Sequence, residues 1–238
     1  MHRGIIAPLV VLAACDDMRS VAIDPEVADR SINQLRDLAV SRSSTDGYKP
    51  VIAIIEVLLS EQALIGDGPN GFYRFGFEPY SGDVDCTSTM CSFEVYGLDD
   101  TFGPNRFAGT SIRNGETETF HMVAETTFAS YRSAFTDRWT FDGEVTLTAT
   151  DVEGTVELLG TRVRGPGTGQ ISWHSTIEYD VHSLEPYSCP TVGSLHVEST
   201  YVEDGSRDAA QGTLEYGPDC LTPALRSATR GDATDGAS

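Results

Sequence analysis

The sequence predicts an α+β fold: an N-terminal helical hairpin packed on a large antiparallel β-meander, either a twisted sheet or a half-barrel. Three observations predict it. Apolar residues recur at helical spacing through the first quarter of the chain, ending near residue 66. From Gly71 onward the apolar period falls from near four to two. Short Gly-containing or acidic breaks then separate the period-two runs, which is how a meander is punctuated.

The first helix starts at Asp24-Pro25-Glu26, where Asp is a good N-cap, Pro suits the first helical position and an acid favours the first turn. Val27, Ser31, Leu35 and Leu38, flanked by Ala28, Ile32 and Ala39, make one apolar stripe, and the pattern stops near Val40. The second segment, "YKPVIAIIEVLLSEQALIG", has Pro near its start and Gly at its end. Its β-branched residues also suit a strand, but its length and bracketing favour a buried helix. Glu56 interrupts its apolar run, which is too short to cross a hydrocarbon core of about 20 helical residues.

The strand-like runs follow in order: "FYRFGFE", "CSFEVYGL", "TETFHMVAETTF", "DRWTFDGEVTLTAT", "GQISWHSTIEYDV" and "SLHVESTYV". In the fifth, Ile171, Trp173, Ile177, Tyr179 and Val181 alternate with Ser172, His174, Thr176, Glu178 and Asp180, the signature of a strand with one wet face. Asn114-Gly115, Asp142-Gly143, Glu153-Gly154, Gly165-Pro166-Gly167 and Asp204-Gly205 read as turns, giving eight or nine strands. The tail "RSATRGDATDGAS" has little to bury and reads as disordered. Its Arg230–Asp232 tripeptide, an integrin-binding sequence elsewhere, reads as coincidence.

The start of the chain carries an address. One arginine, Arg3, precedes the apolar run "GIIAPLVVLAA", too short to span a membrane and matching the centre of an export signal. Leu12-Ala13-Ala14-Cys15 resembles the lipobox of bacterial lipoproteins. That resemblance implies cleavage before Cys15, lipidation of its thiol, and a protein held in the bacterial cell envelope by its lipid, periplasmic or surface-exposed. Asp16 and Asp17 resemble the inner-membrane retention signal of enteric bacteria. The resulting division is residues 1–14 signal peptide, 15–23 tether, 24–66 helical region, 67–221 antiparallel β domain and 222–238 disordered tail.

With 36 acidic against 16 basic residues and a single lysine, Lys49, the chain lacks the clustered cations that nucleic acid or an anionic lipid surface requires. Membrane attachment therefore falls to the lipid anchor alone. Four cysteines remain beyond Cys15, an even number, which in an exported chain reads as disulfides. Of the three pairings, Cys86–Cys91 and Cys189–Cys220 each bracket a local unit and are preferred.

No nucleophile elbow, zinc-protease helix, phosphate loop or dinucleotide fingerprint occurs, so no catalytic residue and no cofactor is assigned. Ser194 beside His196 is ordinary strand spacing. Folding residues 171–182 back on 193–203 about a centre near residue 188 places Asp180 opposite His196, so His182, Asp180, Glu178, His196 and Glu198 share the polar face. Such a group can hold zinc or another divalent ion. Solvated cross-strand pairing accounts for it more simply. Asp83, Asp85, Asp99 and Asp100 offer loop oxygens for calcium, without the spacing of a known calcium loop.

The function expected is a non-catalytic, membrane-anchored interaction or structural module of the envelope, its partner unspecified. Two alternatives remain: a half-barrel carrier of lipids or other apolar ligands, resembling in architecture the proteins that ferry lipoproteins between bacterial membranes, and a metal-binding or hydrolytic envelope protein.

Overall fold

The structure is a computed structural model that describes residues 25–42, 48–64, 80–97, 105–129, 134–164, 169–186, 188–218 and 224–232. Expectations for the signal peptide and tether, Asp24, the run at 72–78, Asp99, Asp100, the break at 165–167, Cys15, Cys220 and the last six residues fall outside them.

Among the described residues two helices, α1 (Pro25–Ser41) and α2 (Tyr48–Leu64), precede ten strands. These are β1 (Tyr80–Cys86), β2 (Met90–Gly97), β3 (Asn105–Asn114), β4 (Thr117–Ala129), β5 (Ala134–Leu147), β6 (Asp151–Arg164), β7 (Gln170–His182), β8 (Val192–Glu203), β9 (Ser206–Tyr216) and β10 (Ala224–Asp232). They form one sheet in strict sequence order, every pair antiparallel. The expected helical hairpin on an antiparallel meander is the architecture found. Among the described residues the sheet is open: β1 pairs only with β2 and β10 only with β9.

Alternation decides the faces. Ile171, Trp173, Ser175, Ile177, Tyr179 and Val181 of β7 point inward and are buried, with polar residues between them. Val152, Val156 and Leu158 of β6 and Leu195 and Val197 of β8 share that inner face, and the helices cover part of it. Ala28, Ile32, Leu35 and Leu38 of α1 and Val51, Ile54, Ile55 and Leu58 of α2 join the same core. Each fully buried Leu or Ile contributes about 1.5–3 kcal/mol, which holds α2 as a helix despite its β-branched content. Along the inner face Trp139 stacks on Trp173 at 5.1 Å and Phe120 on Phe141 at 4.9 Å.

Three sequence expectations are corrected. Asp142-Gly143 and Glu153-Gly154 are not turns but lie inside β5 and β6. A Cβ at Gly143 would meet the Phe120 ring at 2.1 Å, so that glycine leaves room for an aromatic ring. Two of the other expected breaks are hairpin turns. Gly115, with φ +65°, turns β3 into β4, and Asp204 and Gly205, with φ 50° and 83°, turn β8 into β9. Finally, the segment from 222 is not wholly a disordered tail: Ala224–Asp232 is β10, paired with β9 from Glu215 to Asp208. Ladder pairing uses backbone groups and needs no apolar side chains, so composition did not reveal it. The Arg230–Asp232 tripeptide ends that strand.

Cys86 and Cys91 form the expected disulfide, directly opposite across the β1–β2 hairpin with 4.1 Å between their Cα atoms. Cys189 is disulfide-bonded, its partner lying outside the described residues.

Candidate functional site

The outer face of β5–β8 carries an acidic array punctuated by threonine and histidine. Its densest point is a two-by-two block on β6 and β7. Asp151 sits opposite His182, and Glu153 sits opposite Asp180. The imidazole joins them: Nδ1 lies 3.0 Å from Asp151 Oδ1 and Nε2 lies 2.9 Å from Asp180 Oδ1. Glu153 Oε1 is 3.7 Å from Nδ1. Glu153, Asp180 and His182 each place a ligand atom within 4.8 Å of the other two. Behind the block, the hydroxyls of Thr148 and Thr150 each donate to Asp151 Oδ2 at 2.8 Å. His182 and these two hydroxyls hold the Asp151 carboxyl below the usual range. Asp151, and then Asp180, raise the imidazole above its ordinary value.

The structure brings together only part of the group expected from sequence. Asp180 and His182 meet. His196 and Glu198 do not join them, because His196 faces Glu178 and Asp180 faces Ser194. The hairpin is centred one residue earlier than the sequence suggested, which moves the pairing by two. The connection closes with the Thr191 N–H donating to the His182 carbonyl at 2.8 Å. His196 turns instead to Thr213 at 2.8 Å and Glu198 at 3.4 Å. Asp151 and Glu153 replace them, and only the β6–β7 register reveals that. Asp83 and Asp85, expected in a loop, are exposed residues of strand β1.

The block can hold a cation between one imidazole nitrogen and two or three carboxylates, a donor set suited to zinc or manganese. It offers little to a reacting bond. Asp180 is 70 % exposed and His182 37 %, and water at an open face screens the charges that catalysis would concentrate.

A second set of polar groups lies under the hairpin. Arg36 donates through Nη1 to the Ser188 carbonyl at 2.7 Å and through Nη2 to Ser183 Oγ, tying α1 to the β7–β8 loop. Arg42 pairs with Glu118 of β4, donates to Ser111 of β3 and reaches Cys91 Sγ at 2.8 Å. Ser31 of α1 and Tyr179 of β7 both donate to Glu61 Oε1 of α2. Burial pushes the Glu61 carboxyl up to about 8, and the Ser31 hydrogen bond offsets only part of that. The parity of Glu118, which matches Phe120 and Met122, was the available sign that this acid points inward. Glu61 gave no such sign, sitting in a segment apolar almost all round.

Further along the inner face Arg162 donates to both carboxylate oxygens of Asp137 at 2.7 Å and lies over the Phe135 ring. Among the described residues no helix is long and apolar enough to cross a membrane. Comparison with family models, curated proteins and solved structures finds no match to this chain.

Proposed function

We propose that the protein is a lipid-anchored module of the bacterial cell envelope, tethered through Cys15, that works by binding at its outer sheet face rather than by chemistry. The observation carrying this reading is the unequal use of the two faces. The inner residues of β4–β8 and the apolar stripes of both helices are committed to one another in a single cluster. The outer face stays in water, with Asp142, Glu144, Glu153, Glu157, Glu178, Asp180 and Glu198 arrayed along it beside exposed Leu159 and Val163. A carrier of apolar ligands needs room between hairpin and sheet. The single buried cluster that helix and sheet side chains share favours the module over the carrier.

The anchor is tested by metabolic labelling with a palmitate analogue followed by detergent phase partition. The wild-type protein takes up label and enters the detergent phase, and Cys15→Ala does neither. Equal partition of the two into water would refute the tether.

The His182 block favours a second reading, a divalent-cation site within the same surface. Titrating zinc into the purified soluble domain should give one site per chain, lost in His182→Ala while the melting temperature of the metal-free protein stays unchanged. Absence of binding, or its survival in His182→Ala, removes this reading.

A further inference from the structure

Three acidic side chains among the described residues are fully buried: Glu118, Asp137 and Glu61. The first two are each met by a guanidinium, Arg42 and Arg162. Among the described residues Glu61 is met only by hydroxyls. Ser31 approaches it from α1 and Tyr179 from β7, both at Oε1, and these two hydroxyls also touch one another. Its second oxygen, Oε2, is buried with no hydrogen-bond partner. An ionised carboxylate there would have no counter-charge and an unsatisfied oxygen, so the group resides in the core as the neutral acid.

The position gives this a consequence. Glu61 stands where α1, α2 and β7 meet, at the seam that docks the hairpin on the sheet. We propose that Glu61 is a protonation latch: α1 and α2 remain docked on β7 only while its carboxyl is neutral, and ionising it frees the hairpin from the sheet. Burial holds the docked carboxyl at about 8, whereas a released hairpin exposes it to water, where its ordinary value is 4.5. Between those values the docked state keeps a proton that the released state gives up. Docking therefore weakens about tenfold per pH unit across that window and levels off above it.

Other groups on the packed elements are separate. Glu56 of α2 faces Asp37 of α1. Asp29 and Arg36 of α1 interact with Tyr216 of β9. Asp29 and Glu56 are also raised by burial and act with the same sign, so Asp29→Asn and Glu56→Gln measure their share, and the latch requires each to keep most of the wild-type fall.

Hydrogen exchange read by mass spectrometry from pH 6 to pH 8, corrected for intrinsic exchange, tests the latch. Protection of α1 and α2 amides relative to those of β4–β7 should fall about 50-fold in the wild type and stay flat in Glu61→Gln. Helix protection that tracks the sheet, or a slope retained in Glu61→Gln, overturns the proposal. If Glu61→Gln does not fold, carbon-13 NMR of the wild-type carboxyl decides: a midpoint near 8 upholds the latch, and one below 6 overturns it.

Discussion

Arg42 shows how much one residue can carry. It directly follows α1, and its guanidinium reaches Glu118 of β4, Ser111 of β3 and the sulfur of Cys91 on β2, so one side chain pins the helix end to three strands. Arginine suits this because its rigid fork satisfies several acceptors at once, which lysine cannot do. Both partners of the pair are almost completely buried, at 2 % and 1 % exposure. Removing one partner strands the other charge. Arg42→Met should therefore cost about 3–5 kcal/mol of unfolding free energy, while the double change Arg42→Met with Glu118→Met should cost much less. Urea unfolding of the two variants reads this directly. Equal losses would mean that the two charges do not depend on one another.

At the scale of elements the open edges matter most. β1 is short, acidic and bridged to β2 by a disulfide, all of which discourage pairing with another chain. At the other end β10 covers β9, with an irregularity between Leu225 and Ser227. Deleting residues 222–238 would leave β9 with a bare row of backbone donors and acceptors. The truncated protein should associate with rising concentration, as light scattering would show. A monomer with the wild-type urea midpoint would mean that the β9–β10 ladder protects nothing. The same edge explains why this element was hard to foresee. Strands β4, β5, β7 and β8 announce themselves by alternation, because their side chains divide between core and water, whereas β6, where Glu153-Gly154 reads as a turn, does not. β10, "ALRSATRGD", has one large apolar residue, Leu225, and no side-chain alternation marks its pairing. Helices α1 and α2 were legible for the opposite reason, since their apolar stripes and Pro and Gly brackets agree. Gly143 misled because glycine signals turns, and here it clears space for Phe120. The His182 block was half legible: Asp180 and His182 lie two apart on one strand, but their partners Asp151 and Glu153 come from a register that alternation alone does not set.

Over the whole molecule, a sheet laid down in strict sequence order is assembled almost entirely from neighbouring hairpins, so the ladder can grow strand by strand as the chain appears. The hairpin of helices cannot join it on that schedule. Ser31 meets Tyr179 across 148 residues of sequence, and Arg36 meets Ser188 across 152. A chain delivered from its N-terminus thus presents its two most apolar helical faces first and buries them last. Through most of its emergence those faces have no sheet to cover them, and on the proposed lipid tether the membrane surface would lie beside them during that interval.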